Sequence, residues 1–191
     1  MRITSVMLPL LSFWTLILLL SCSQQISDDE AKKMVLQCVK YPQPVFNMTH
    51  AGQVGSPDIP KFIQGIEKLA AEGYIREDAG VAGKGEKNNR TYMPADRGKG
   101  FVNGIYIRDS FAMFDGALCN EVFKKIEGVD FDKDNATATV RYVTGYEPIE
   151  PFYSLLCIND YCEYFGEKLK KEEKRVVKLK KAGNGWKPVA S

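Results

Sequence analysis

The stretch VVKLKKAGNGWKPV, residues 176–189, predicts two β-strands joined by a tight turn. In its first half lysines alternate with valine and leucine, which is the pattern of a strand with one buried and one solvated face. An Asn-Gly pair follows at residues 184 and 185, and this dipeptide between strand patterns is the strongest short-range signal of a β-hairpin. A strand over 174–181 should therefore turn back into a second strand over 186–189.

The segments upstream of this hairpin extend the antiparallel pattern. Further strands are predicted at 105–114, 129–131, 136–146, 152–158 and 162–165. Asp115 is a candidate N-cap for a helix whose apolar side chains recur at helical spacing, namely Leu118, Cys119, Val122, Phe123 and Ile126. The second half of the chain therefore predicts an α+β fold, a helix packed on a curled antiparallel sheet. The stretch 176–189 also resembles the end of cystatin-like and nuclear-transport-factor-2-like domains.

The first half of the chain begins with a helix signal. Ser27 and Glu30 have the spacing of a capping box, in which each side chain bonds the backbone amide of the other residue. Apolar residues then recur at helical spacing, so a helix should run to Lys40. Prolines and glycines make residues 41–56 an expected irregular connection, with a short strand at 45–48.

A second helix is predicted from Ser56 to Gly73, and strands at 74–77 and 90–93 should follow around a glycine-rich tip. The passages IEKLAAEGYIRE and RTYMPADRGKGFV, within residues 56–102, resemble the last helix and wing of winged-helix domains. The matches to the wing motif are Tyr92, Gly98 and Lys99. The resemblance implies a small helix plus β-hairpin, acting as an interaction module.

A nucleic-acid partner is not predicted for this module. The helix that would enter a DNA groove balances Lys61 and Lys68 against Glu67 and Glu72, whereas a recognition helix is usually basic. The whole chain has 26 basic and 24 acidic residues, so it carries no strong positive field for a polyanion.

The amino-terminal residues predict a secretory leader. Arg2 provides a short positive region, and residues 6–20 are largely apolar before the chain turns polar. A membrane-spanning helix needs about 20 apolar residues and usually basic flanks, so this stretch fits a signal peptide better.

Leu19, Leu20 and Ser21, followed by Cys22, resemble the lipobox of bacterial lipoprotein signal peptides. The resemblance implies cleavage before Cys22, palmitate-type acylation at this residue, and a lipid-anchored protein in the cell envelope that faces the periplasm. Ser23 resembles the pattern of outer-membrane rather than inner-membrane lipoproteins. An ordinary secretory signal, cut near Ser21 or Ser23, is the alternative.

The expected organisation has four parts. They are a signal peptide at 1–21, a lipidated tether at 22–27, a helical plus β-hairpin module at 28–104 and an α+β antiparallel-sheet module at 105–191. Cleavage after residue 21 removes one charged residue, Arg2, and leaves 25 basic and 24 acidic residues.

Four cysteines remain beyond Cys22, and an oxidising envelope favours disulfides between them. Cys157 and Cys162 flank a short polar segment, so a hairpin would bring their thiols together. Cys38 and Cys119 would then form a second disulfide between the two halves. A four-thiol zinc site lacks the expected C-x-x-C spacings, and we predict no metal.

No catalytic residue or cofactor is predicted. The single histidine, His50, lies in the expected loop at 47–55 without a nucleophile motif beside it. Glu147 and Glu150 form the carboxylate pair that an enzyme acting on envelope polymers would use, but a pair alone does not define such a site.

The densest basic tract lies at residues 168–181. Its alternation favours an ordinary strand with one solvated face, and an anionic surface is the alternative ligand.

The sequence thus favours an envelope lipoprotein without enzymatic activity, held to the membrane at Cys22, that binds an envelope protein or a small ligand. The alternatives are the polymer-acting enzyme and a structural envelope component.

Overall fold

A computed structural model describes residues 26–53, 56–79, 89–108, 111–157, 162–183 and 185–189. These residues form four α-helices and an open antiparallel sheet of eight strands, which confirms the α+β fold class. The helices are α1 (Asp28–Cys38), α2 (Ile59–Ala71), α3 (Phe152–Leu156) and α4 (Glu163–Leu169). The strands are β1 (Gln43–Gln53), β2 (Ile75–Glu77), β3 (Arg90–Pro94), β4 (Val102–Ile107), β5 (Phe111–Phe131), β6 (Thr137–Pro148), β7 (Glu173–Ala182) and β8 (Gly185–Pro188).

The sheet is organised around the 21-residue strand β5. The strands follow the order β2-β3-β4-β5-β6-β7-β8, and β1 pairs with β5 outside this path. Residues 119–121 of β5 pair with β1 and β6 together, so these two strands lie on opposite edges of β5. Strand β4 pairs with β5 at 112–116, on the same edge as β6.

The helix predicted from Asp115 to Ile126 is wrong, because those residues belong to β5. Residues 111–121 have strand partners along β1, and pairing satisfies the backbone groups that a helix would satisfy internally. Gly116 also approaches neighbouring backbone closely, since a Cβ there would lie 2.7 Å from the Phe101 carbonyl oxygen. Cross-strand pairing has therefore overridden the helical spacing of the apolar residues.

Two further predicted strands are also wrong. Residues 152–156 form α3 and residues 163–169 form α4, instead of the two arms of a hairpin. The expected short strand at 45–48 is in fact the 11-residue β1, which therefore includes His50.

Local end signals were predicted correctly. Ser27 and Glu30 form both hydrogen bonds of the capping box at α1. Gly73, with φ of +77°, follows the C-terminus of α2, where the left-handed conformation favours glycine. Strands β2 and β3 pair as the expected hairpin, and β7 pairs with β8.

The buried apolar residues form two clusters. The larger packs α2, α3 and α4 on one face of the sheet around Phe114, Phe152 and Phe165. The smaller packs Ala31 and Val35 of α1 against β6 and β7. Strand β4 spans the boundary predicted between residues 104 and 105, and the division into two modules stays a prediction.

Candidate functional site

Cys22, the predicted lipidation site, lies outside the described residues. The predicted Cys157–Cys162 disulfide lies within them. Cys157 and Cys162 are bonded, with their Cα atoms 5.1 Å apart, which confirms that prediction. The surroundings differ from the expected hairpin, because Cys157 caps the C-terminus of α3 and Cys162 is the N-cap of α4. The bond therefore joins two short helices of the larger cluster.

The predicted Cys38–Cys119 disulfide does not form, and both thiols are free. Cys38 packs against the smaller cluster at the end of α1, whereas Cys119 is fully buried in the larger cluster. Each thiol thus belongs to a different part of the core. Burial raises the pKa of both thiols, so neither is an activated nucleophile.

The two carboxylates of the enzyme alternative have separate partners. Glu147 forms an ion pair with Lys124 at 2.8 Å. Glu150 accepts hydrogen bonds from the backbone amide and the hydroxyl of Ser154, at 3.2 and 2.5 Å. The second interaction fixes the first turn of α3, so each carboxylate has a structural role.

A polar cluster lies on the face of strands β5, β6 and β7 that α1 covers. Arg175 bonds Glu121 at 3.1 Å and Glu173 at 2.7 Å, and the Tyr146 hydroxyl donates to Glu173 at 2.5 Å. The Glu121 side chain is only 13 % exposed, so its partner is needed to compensate for the lost hydration. Tyr146 of β6 lies opposite Glu121 of β5, and Glu173 and Arg175 belong to β7. The cluster therefore contains side chains from all three strands.

The protonation states of this cluster do not favour acid–base catalysis. Burial, followed by the hydrogen bond to Glu173, raises the pKa of Tyr146 far above its usual value of about 10. The same bond lowers the pKa of Glu173. At neutral pH the phenol is therefore a fixed donor and the carboxylate a fixed acceptor, whereas a general base needs a pKa near the working pH.

An open depression of about 430 Å³ lies beside this cluster, lined by Glu163, Glu167, Lys168, Lys171 and Glu173. The Lys168 ammonium lies 4.6 Å from the centre of the Tyr146 ring. Three acidic and two basic side chains line the open depression, and such a surface gives little exclusion of water. The depression is therefore unlike an enclosed substrate site.

The sequence-predicted histidine lies on β1 rather than in a loop. His50 is exposed and its ring contacts Phe111 edge to face, with ring centres 6.3 Å apart. In the described part of the chain, no three His, Cys, Asp or Glu side chains form a group that could hold a metal ion.

Two large apolar side chains are exposed on β1, Phe46 by 46 % and Met48 by 54 %. Alternate residues of a strand share a face, so His50 lies on the same face. The register adds Met113 of β5 and Tyr106 of β4 to it. We call the surface formed by these five residues the β1 face; α2 and α3 pack on the opposite face of the sheet, around Phe114.

The outer edge of β1 is also free of strand pairing within the described ranges, where β1 pairs with β5 alone. No charged residue occurs in Gln43–Gln53, although natural edge strands are commonly protected by charge. Irregular pairing occurs at Val45/Phe46 and at His50/Gly52, which leaves five regular residues between them. This edge was missed from the sequence, because prolines and glycines indicated an irregular connection.

The basic tract is divided by the fold. Lys170 pairs with Glu167, Lys174 pairs with Glu127, and Arg175 belongs to the polar cluster. Lys178 and Lys180 lie on the exposed face of β7.

None of the helices that the structure describes has the length and apolar character required to span a bilayer. No protein-family model, no curated protein and no solved structure matches this chain.

Proposed function

We propose that this chain is a lipid-anchored protein of the bacterial envelope that works by binding another protein. The anchor is Cys22, and the binding surface is the β1 face together with the free edge of β1. The observation that carries the proposal is the exposure of Phe46 and Met48 on an uncharged edge strand.

The anchor rests on the lipobox-like residues 19–22 behind an apolar leader. A single acyl chain binds a membrane only marginally, and several chains hold it firmly, as lipidation at the thiol and the new amino terminus would provide. The Cys157–Cys162 disulfide suits the oxidising envelope that such an address implies.

The binding mode follows from the geometry of β1. An exposed strand edge offers N–H and C=O groups to which an extended peptide can add as a further strand. The Met48 amide donates to the Asn47 side-chain oxygen at 2.9 Å, so an added strand would replace that bond. Between the irregular positions, Phe46 to His50 form the usable segment. Apolar side chains of the added strand would cover Phe46 and Met48, and methionine adapts its shape to varied partners. The proposed partner is thus an uncharged, extended segment of an envelope protein.

Catalysis on envelope polymers has no comparable support. Glu147 forms an ion pair with Lys124, and Glu150 accepts a hydrogen bond from Ser154 in the first turn of α3. The depression near Glu173 is open to solvent. In the polar cluster the Tyr146 hydroxyl keeps its proton and the Glu173 carboxylate stays ionised, so neither group acts as an acid or a base at neutral pH.

Replacing Cys22 is the test of the anchor. Cys22→Ala should lose incorporation of labelled fatty acid, because the thiol that receives the lipid is gone. The control is Cys38→Ala, which removes a different free thiol and should keep the label. Undiminished labelling of Cys22→Ala would contradict the lipobox interpretation.

A photocrosslinking side chain at Met48 tests the binding surface in intact cells. We expect an adduct larger than the monomer, whose second component is a different envelope protein joined through an extended segment. The same side chain at Leu36, which is exposed on α1, is the control and should give no such adduct.

A second substitution makes the test specific. Phe46→Lys should reduce the Met48 adduct by about tenfold or more, because it removes a buried phenyl group from the proposed interface and charges the edge. Monomer alone from the Met48 position would refute binding at this face. An adduct of twice the chain's mass would identify a second copy and would overturn the assignment to a different protein.

A further inference from the structure

Three lysines share one face at the end of the sheet where β7 and β8 pair. Lys178 and Lys180 alternate along β7, and Lys187 of β8 lies directly opposite Lys180. Residues opposite each other in an antiparallel pair have Cβ atoms about 5 Å apart, and like charges at such positions repel. The arrangement therefore costs stability in the isolated protein.

Other basic residues on this face have acidic partners. Arg141 of β6 pairs with Asp130 of β5, and Lys174 pairs with Glu127 at 3.0 Å. Within the described residues, no carboxylate lies within salt-bridge distance of Lys178, Lys180 or Lys187. A source of negative charge outside the described chain would complement them.

Exposed apolar side chains lie among these lysines. Val176 is 60 % exposed and shares the face with Lys178, because the two residues alternate along β7. Val189 is 45 % exposed, and its amide donates to the Lys178 carbonyl, which places it beside that strand. A membrane surface has charged headgroups above a hydrocarbon layer. Lysines can pair with the headgroups, and exposed valines among them can contact the hydrocarbon.

We propose that Lys178, Lys180 and Lys187, with Val176 and Val189 among them, form a docking surface for an anionic phospholipid bilayer. We call these five residues the lysine–valine face. The lysines would lie among the lipid phosphates, and the valines would reach the boundary of the acyl chains.

This assignment rests on the proposed anchor for its setting, and the tether joins the molecule at the same end of the sheet, with Ile26 packed on the face opposite that of Lys187. Ile26 packs against the smaller apolar cluster, to which Trp186 of β8 also belongs. Cys22 precedes Ile26 by four residues, and four residues extend at most about 14 Å. Lipid at Cys22 would thus keep the α1–β8 end of the molecule near the bilayer.

The test measures sedimentation with phosphatidylcholine vesicles that contain or lack phosphatidylglycerol. Every protein compared is the full chain with Cys22→Ser, so lipid at Cys22 contributes to none and the leader contributes equally to all. The triple variant Lys178→Gln, Lys180→Gln, Lys187→Gln should bind anionic vesicles roughly 100-fold more weakly, at roughly fivefold per lysine.

The matched control removes three exposed lysines elsewhere, with Lys61→Gln, Lys68→Gln and Lys99→Gln. This control variant loses the same three positive charges as the first triple variant. Because it keeps the lysine–valine face intact, its affinity for anionic vesicles should fall much less. Equal losses in the two triple variants, or equal binding to vesicles without phosphatidylglycerol, would overturn the proposal.

Two measurements on the chain with Cys22→Ser alone keep the proposal testable if the triple variant misfolds. Raising the ionic strength from about 0.1 to about 1 M shortens the screening length from about 10 to about 3 Å and should release the vesicles. Binding that persists at about 1 M salt would refute an electrostatic surface.

Equally tight binding to soluble polyphosphate would show recognition of charge without a bilayer and would overturn the lipid assignment. Fatty-acid labelling at Cys22 is independent of every arm, so failure of the anchor and failure of this face remain distinguishable.

Discussion

Phe152→Ala should lower the free energy of unfolding by about 3–5 kcal/mol, the range for removing a buried phenyl ring. Phe152 is 1 % exposed, and its ring lies 5.2 Å from that of Tyr74, 6.1 Å from that of Phe101 and 6.5 Å from that of Phe114. The substitution leaves a cavity where α3 meets β5 and the loop before β4. Chemical denaturation monitored by circular dichroism would measure the change in midpoint.

The matched control is Phe46→Ala, which removes the same atoms from an exposed site. Phe46 is 46 % exposed on β1, so its loss should cost less than about 1 kcal/mol. A similar loss of stability in both variants would contradict the described difference in burial. The same denaturation measurement on Phe46→Lys, the variant of the crosslinking experiment, should also show retained stability, so that a loss of adduct is not attributed to unfolding.

Irregular pairing in β5 explains why its sequence indicated a helix. Phe123, Ile126 and Val129 lie opposite Thr144, Tyr142 and Val140, which alternate along β6. Register shifts at Phe123/Lys125 and Ile126/Gly128 each add one residue to β5. Apolar residues that share a face are therefore three apart, and this spacing imitates a helix.

The signals that predicted structure correctly are local. A capping box satisfies amides within one turn, and a short connection between β7 and β8 brings adjacent strands together, so neither depends on distant residues. Helices α3 and α4 were missed because each is short, with five and seven residues, and tertiary packing decides such segments.

The candidate sites divide in the same way. Close sequence spacing was enough to pair Cys157 with Cys162, whereas Cys38 and Cys119 depend on where α1 and β5 lie. The lysine alternation along β7 was visible in the sequence, but the opposition of Lys180 and Lys187 requires the register. Exposure of Phe46 depends on the position of β1 at the edge of the sheet, which no local pattern encodes.

Gly65→Ala should lower the free energy of unfolding by about 2–3 kcal/mol, although alanine normally stabilises a helix. Gly65 lies within α2, and a Cβ there would overlap the Leu155 carbonyl oxygen of α3. Backbone must therefore move to accept the methyl group. Helix α3 is held at one end by the buried Phe152 and at the other by the Cys157–Cys162 disulfide, which limits that movement.

Gly166→Ala should change the free energy of unfolding in the opposite direction from Gly65→Ala. Gly166 lies within α4, and a Cβ there would meet no heavy atom within 4 Å. The alanine should raise the free energy of unfolding by about 0.5–1 kcal/mol, because glycine is a poor helix former. Denaturant titration of the two variants should thus give shifts of opposite sign. Stabilisation by alanine at both positions would show that helix propensity, rather than the close approach of α2 to α3, determines the outcome at position 65. Destabilisation at both would contradict the open surroundings of Gly166.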